Sequence, residues 1–159
     1  MITVEKAGKE RLSDVLAIRR EMLAVVNNVP ESGISDEIMS ISEEYFSTNQ
    51  HTTVLAFCDG KLAGCATICW ITVMPTYSHP TGKRAHIMNV YTRSEFRRMG
   101  AARKMVEFLL AEARARGVTY VSLDATESGR PLYEALGFRG SEESMGLNLN
   151  RTLTKPYIK

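Results

Sequence analysis

Six consecutive residues near the middle of the chain have the types and spacing of an anion-binding turn. They are Arg97, Arg98, Met99, Gly100, Ala101 and Ala102. A strand-like apolar run over residues 85–92 precedes them, and apolar residues follow at helical spacing over 102–113. Free N–H groups and the helix dipole attract an anion where a strand turns into a helix, and a glycine lets it approach the backbone closely. The pattern predicts a pyrophosphate seat.

A second motif follows over residues 132–138, where the sequence reads Leu-Tyr-Glu-Ala-Leu-Gly-Phe. The strand followed by Arg97-x-x-Gly100-x-Ala102 resembles the signature of the GCN5-related N-acetyltransferases (GNAT). Tyr133 with Gly137-Phe138 resembles the second landmark of the same family. The two landmarks occur in the family's order, and the resemblance covers roughly residues 2 to 150.

The resemblance implies a fold and a cofactor. The fold is a mixed α/β (α+β) sheet with splayed parallel strands and about four helices, in a single N-acetyltransferase domain over residues 1–159. Acetyl-CoA would lie between the splayed strands as acetyl donor. Its pantetheine arm would pair with Val90, Tyr91 and Thr92, and its pyrophosphate would rest on residues 97–102. The family's Asn before the last helix is absent here, and Ser128 or Thr126 would take its place.

Tyr133 matches the tyrosine that the family often uses as general acid. A phenol with a pKa near ~10 can protonate the departing coenzyme A thiolate; the alternative is that the same tyrosine packs between sheet and helix. The resemblance implies direct attack of an amine in a ternary complex, without a metal. Neither landmark carries a cysteine nucleophile. The alternative is a regulatory or sensing module that binds acetyl-CoA without turnover.

The acceptor is expected to be a primary amine of a small molecule or a peptide. By position, the substrate-binding candidates are Glu21 in the first helix and Tyr77 and His79 in the polar loop before residue 85. The amine must lose a proton before it attacks. Candidate bases, beside a chain of water molecules, are Glu21, Glu95, His79, His86 and Asp124. His86 could also be a satisfied core histidine.

The composition limits the classes of protein that fit. The 159 residues are 44% hydrophobic and 24% charged, with a net charge of +2, so a nucleic-acid partner is not expected. The sequence lacks both a secretory leader pattern and an apolar run of about 18 residues, so we expect a cytoplasmic protein without a membrane contact. Cys58, Cys65 and Cys69 are expected to be buried free thiols. The resemblance also allows a homodimer.

The remaining patterns predict the elements that position these residues. We expect an edge strand at residues 2–5, a helix over 10–26, a helix from the cap Ser35 to about 49, and a hairpin that turns at Asp59-Gly60. The second arm of the hairpin is apolar on both faces, which favours a central strand. A helix to Gly117 and a strand at 119–125 would follow, the latter parallel to 85–92. Ser128 would cap the next helix, residues 145–149 would form a closing strand, and 155–159 would be loosely held.

Overall fold

The computed structural model describes residues 1–150. A five-stranded sheet lies in the order β1-β2-β3-β4-β5. Its strands are β1 Ile2–Lys6, β2 His51–Cys58, β3 Lys61–Thr72, β4 Lys83–Thr92 and β5 Tyr120–Leu123. The α-helices are α1 Leu12–Asn27, α2 Asp36–Phe46, α3 Ala101–Ala115 and α4 Arg130–Ala135. The mixed α/β fold with four helices is as expected.

The sheet is antiparallel through β4, and its last pair is parallel. β3 lies at the centre, and its residues from Ala63 to Ile68 are buried, as its two apolar faces predict. β1 is an edge strand, as expected. The parallel pairing of β4 with β5 follows from the single helix α3 that connects them.

Two apolar cores cover the two faces of the sheet. α3 contributes Met105, Val106 and Leu109 to one core, where they pack with β2, β3 and β4. α1 contributes Val15, Ile18 and Met22 to the other. Because each helix buries one stripe, the amphipathic patterns of the sequence correctly place both helices.

Local signals set the ends of the helices. The Ser35 hydroxyl accepts the N–H of Ile38 and caps α2, as predicted. α2 ends at Phe46, earlier than the predicted 49. After α3, Gly117 has φ 72° and its N–H donates to Arg114, so the predicted glycine ends the helix.

Two predictions near the C-terminus are wrong. Ser128 does not cap α4, because Gly129 directly precedes the helix and no side chain caps its first turn. In the turn before the helix, Thr126 Oγ1 accepts the N–H of Gly129 at 3.1 Å and the Thr126 carbonyl accepts the N–H of Arg130 at 2.9 Å. Residues 145–149 form no strand, and no strand of the described residues pairs with them. Apolar residues do alternate in this segment, but Met145, Leu147 and Leu149 are exposed and do not pack on the sheet. The predicted tail at 155–159 lies outside the described residues.

Candidate active site

A cleft begins where β4 and β5 separate. The two strands pair only from Arg84 with Tyr120 to Ile87 with Leu123. β4 continues to Thr92, whereas β5 ends at Leu123. Over residues 88–92, no strand of the described chain therefore lies beside β4 on this side, and this edge of β4 is open, as a splay of the parallel strands would require.

The backbone of β4 presents hydrogen-bonding groups to this opening. The N–H of Arg93 donates to the carbonyl of Ala63 in β3 at 2.9 Å. Because successive residues of a strand alternate in direction, the N–H of Thr92 points to the opposite, open side. A polar backbone edge of this kind requires partners, and a ligand with amide groups can provide them.

A bulge in β4 marks the point of separation. Asn89 and Val90 together face the single residue Ala66 of β3. Asn89 has a left-handed backbone with φ 59°, and its side-chain amide donates to Thr67 Oγ1 at 3.4 Å. A bulge bends its strand and increases the local twist, which turns residues 90–92 away from the line of β5.

The turn between β4 and α3 has free backbone donors. Gly100 has φ 84° at the N-cap, and the first hydrogen bond of the helix runs from the N–H of Lys104 to the carbonyl of Gly100. The N–H groups of residues 101–103 therefore have no partner within α3. A side chain at Gly100 would meet no atom within 4 Å, so the turn is open to a ligand. This geometry suits a pyrophosphate.

The four cations around this turn have different partners. Arg97 donates from Nε to the carbonyl of Thr92 at 3.2 Å and ties the turn to the end of β4. Arg103 pairs with Glu107, and Lys104 binds the carbonyl of Ile2, so both are engaged along α3. Arg98 has φ 65° and forms no ion pair within residues 1–150. Arg98 and the Nη groups of Arg97 are therefore left for a ligand at the turn.

Tyr133 lies on α4 over a cavity of about 440 Å³ that β5, α4 and residues 138–144 enclose. Its ring packs edge-on against Phe138, with 5.9 Å between ring centroids. Burial raises the pKa of Tyr133. Its hydroxyl has no hydrogen-bond partner among the described residues, so a protonated phenol remains free to act on a ligand.

The loop before α4 carries the polar residues that were expected to replace the family's Asn. Ser128 Oγ lies 3.3 Å from Thr126 Oγ1, and both side chains are exposed. Thr126 Oγ1 also accepts the N–H of Gly129, which leaves the hydroxyl of Ser128 as the freer of the two.

Glu21 holds the end of β4 against α1. Its carboxylate accepts two hydrogen bonds from Arg93 Nε, at 3.2 and 2.9 Å, and one from the Tyr91 hydroxyl at 2.9 Å. Burial and this carboxylate raise the pKa of Tyr91 to about 12. Arg93 also binds the carbonyl of Leu62. Glu21 therefore positions β4, and both of its carboxylate oxygens already accept hydrogen bonds from Tyr91 and Arg93.

The other proposed acceptor residues lie away from this cleft. Tyr77 is fully exposed. His79 Nδ1 lies 2.9 Å from Thr119 Oγ1, and its ring packs against Tyr120 at the beginning of β5, the opposite end from the turn at Gly100. Of the candidate bases, His86 lies 2.7 Å from Ser122 Oγ and 3.7 Å from Asp124.

A cavity of about 330 Å³ on the α1–α2 side of β4 was missed from the sequence. Ile38, Ile41 and Tyr45 of α2 line it, together with Met88 and Asn89 of β4 and Arg19 of α1. It adjoins the bulge at which β4 leaves β5. The sequence holds only a weak signal for it, the exposed apolar residues on α2, because three distant segments form the cavity.

The three cysteines are free thiols in the structure. Cys58 and Cys65 are buried free thiols, and Cys69 is half-buried. Burial raises the pKa of Cys65 to about 12.

No cluster of three or more His, Cys, Asp or Glu that could hold a metal is found within residues 1–150. None of the helices described is both long and apolar enough to span a bilayer.

Comparison with known proteins assigns the family. The sequence profile of the Acetyltransferase (GNAT) family matches residues 20–138, and the chain belongs to this family. A predicted acetyltransferase from Clostridium acetobutylicum, crystallised with acetyl-CoA, is 30% identical, with a TM-score of 0.80 over 94% of this chain and 97% of that one.

Two further relatives carry a named activity. The glucosamine 6-phosphate N-acetyltransferase of Trypanosoma brucei brucei is 30% identical over 90 residues, which span 57% of this chain and 59% of that protein. The glucosamine-6-phosphate N-acetyltransferase of Arabidopsis thaliana shares the fold, with a TM-score of 0.66 at 21% identity over 94% of this chain and 99% of that one.

Proposed function

We propose that this protein is an acetyl-CoA-dependent N-acetyltransferase that modifies a primary amine of a small molecule or a peptide. The observation that carries the proposal is the joint geometry of the open β4 edge and the free N–H groups at the start of α3. The open edge of β4 suits an extended chain with amide groups, and the start of α3 suits an anion. Coenzyme A carries both groups. The family and the relative crystallised with acetyl-CoA support this assignment.

The residues of this chain would hold acetyl-CoA at two places. The segment of Val90, Tyr91 and Thr92 would bind the pantetheine amides along the open edge of β4, through those of its backbone groups that alternate to the side away from β3. The turn of residues 97–102 would bind the pyrophosphate with its N–H groups, and the Arg98 guanidinium would add charge. Ser128 would give a further hydrogen bond from the loop before α4. Bound in this way, acetyl-CoA would supply an activated thioester for direct attack by the neutral amine, and the proton that the amine nitrogen loses would return through water to the phenolate that the general acid leaves.

Tyr133 would act as the general acid. The departing sulfur carries negative charge and needs a proton, and the Tyr133 hydroxyl has no other partner within the described residues. Burial raises the pKa of Tyr133, so the phenol holds its proton at neutral pH. The Glu21, Tyr91 and Arg93 cluster would keep the end of β4 in place under the cofactor.

Release of free thiol from acetyl-CoA, followed with a panel of primary amines, tests this proposal. We expect release that depends on the amine, together with an acetylated product detected by mass spectrometry. Binding of acetyl-CoA with no release from any amine would instead favour the sensing module. The free Tyr133 hydroxyl argues for turnover, because a module that only binds has no use for an acid at this position.

A further inference from the structure

The cavity on the α1–α2 side of β4 contains an unusual cation. Arg19 is half-buried, and its Nε is shielded from solvent without any hydrogen-bond partner. One hydrogen bond is formed, from Arg19 Nη1 to Asn89 Oδ1 at 3.0 Å. A guanidinium has five N–H donors, so most of its capacity is unused.

Arg19 also lacks a counter-ion. Its neighbour Arg20 faces Asp36 at 3.8 Å, and Arg93 is paired with Glu21, but Arg19 takes part in no ion pair within residues 1–150. No Asp or Glu lines the cavity. Burial lowers the pKa of the Arg19 guanidinium, which reflects the cost of holding a desolvated charge. An anion from outside would offset that cost.

The other polar groups of the cavity are already satisfied by the protein. Ser42 Oγ donates to the carbonyl of Ile38 at 2.7 Å, and Thr67 Oγ1 lies 2.9 Å from Thr53 Oγ1. The Asn89 amide is directed to Thr67 and Cys65. The Tyr45 hydroxyl and the Cys69 thiol are hydrogen-bonded to each other. The rest of the wall is apolar, with Ile38, Ile41, Phe46 and Met88. The cavity therefore offers one free cation within an apolar surface.

We propose that this cavity selects an amine acceptor that carries an anionic group, a carboxylate or a phosphate, which binds Arg19 while its apolar part lies against α2. This inference rests on the proposed function, because it places the acceptor beside the bulge at Asn89 and Val90, where β4 opens towards the cofactor. It predicts that polycationic amines are poor acceptors, since Arg19 would repel them.

Matched pairs of acceptors test the inference in the wild-type protein. Leucine is compared with leucine amide, and glucosamine 6-phosphate with glucosamine, by acetyl-CoA-dependent thiol release. Each pair differs in the anionic group, so the two pairs distinguish a carboxylate from a phosphate. Loss of one hydrogen-bonded ion pair corresponds to roughly 10- to 100-fold in kcat/KM, and we expect the anionic member of at least one pair to be preferred by that factor.

Variants of Arg19 assign the preference to this residue. Arg19→Gln is expected to abolish the preference through a higher KM for the anionic acceptor, and Arg19→Lys to retain part of it. Arg20→Gln is the matched control on the next position of α1 and should keep the wild-type preference. Circular dichroism and urea unfolding of each variant separate a loss of folding from a loss of recognition.

Direct binding separates this inference from the proposed function. Each anionic amine is titrated calorimetrically into the protein in the presence of coenzyme A, with Arg19→Gln alongside. Anion-dependent binding that Arg19→Gln weakens supports the site even if no amine is acetylated, which would overturn only the proposed function. Equal binding and turnover of charged and neutral amines, or an unchanged preference in Arg19→Gln, would overturn the inference.

Discussion

At the scale of single residues, the tyrosines of β4 and α4 have opposite situations. The Tyr91 hydroxyl donates to Glu21, and that contact fixes β4 to α1. The Tyr133 hydroxyl has no partner in the described part of the chain, although its ring is fixed by Phe138. A fixed ring with a free hydroxyl is suited to proton transfer, whereas a hydroxyl engaged with a carboxylate is suited to structure.

Replacing Tyr133 with Phe is expected to lower kcat by roughly 10²- to 10⁴-fold, the usual contribution of a general acid, and to leave the Kd of acetyl-CoA almost unchanged. Thiol release measures the first quantity and calorimetry the second. Tyr120→Phe is the matched control, because Tyr120 lines the same cavity from β5 while its ring packs on His79 and Arg84. Wild-type turnover in a folded Tyr133→Phe would remove Tyr133 from the acid role.

The pH dependence of kcat gives a separate test of Tyr133. Burial raises the pKa of its phenol, so the active, protonated form persists above the ordinary phenol value of 10.0. An alkaline fall of kcat that is due to Tyr133 should therefore lie above pH 10, and it should be absent in Tyr133→Phe. A limb of the wild-type profile below that value must come from another group.

At the scale of elements, α3 carries a different function at each of its ends. Gly100 and Gly117 both have positive φ, and a side chain at either would meet no atom within 4 Å. At the first end the free N–H groups face the cleft, whereas at the second end the glycine only terminates the helix. The two glycines therefore form a matched pair with equal strain and different expected consequences.

Gly100→Ala is expected to weaken acetyl-CoA binding by roughly 5- to 30-fold, because the left-handed turn that aligns the N–H groups is disfavoured with a side chain by about 1–2 kcal/mol. Gly117→Ala carries the same backbone cost and should leave the Kd of acetyl-CoA unchanged. Calorimetry measures the affinities, and urea unfolding measures the stability. If the two variants bound acetyl-CoA equally well, the pyrophosphate seat would not be at Gly100.

A second contact of α3 joins it to the sheet. Glu112 Oε1 accepts from Lys6 at 2.9 Å, from Thr52 at 2.9 Å and from Arg116 at 3.0 Å. Burial acts to raise the pKa of this carboxyl, but the hydrogen bonds outweigh it and the pKa lies below its ordinary 4.5. The stability that this carboxylate contributes is therefore present above pH 4.5 and is lost as pH falls through the lower, folded-state pKa.

Glu112→Gln is accordingly expected to lower the free energy of unfolding by about 1–3 kcal/mol at pH 7. The difference from wild type should shrink below pH 4.5, where the wild-type carboxylate is protonated as well. Urea unfolding at several pH values measures both effects. Glu107→Gln, which loses an exposed pair with Arg103, is the control and should change stability little. A difference that stays constant down to pH 3 would contradict the assignment.

At the scale of the whole molecule, the sequence predicts what depends on local pattern. The apolar faces of β3, the glycine after α3 and the Ser35 cap are all local signals, and the structure has them as predicted. Glu21 and Arg93, by contrast, are brought together across 72 positions. No local sequence pattern predicts the contact between Glu21 and Arg93.

The same distinction explains the errors and the site that was missed. Thr126 and Ser128 are both residue types that favour caps, but the geometry of the loop, which a sequence does not display, puts Gly129 directly before α4 and leaves its first turn without a side-chain cap. Residues 145–149 alternate like a strand, but alternation does not provide a partner strand. The cavity at Arg19 is assembled from α1, α2 and β4, so its unpaired cation becomes visible only in three dimensions.

The most direct test of the central claim is thermal unfolding of the protein with and without acetyl-CoA, with adenosine as control. Acetyl-CoA at ~100 times its Kd should stabilise the fold by about 2.7 kcal/mol, which for a domain of this size raises Tm by several degrees. We predict a shift clearly larger than that with adenosine. No shift at millimolar acetyl-CoA would contradict the account, since the turn of residues 97–102 and the open edge of β4 would then bind no cofactor.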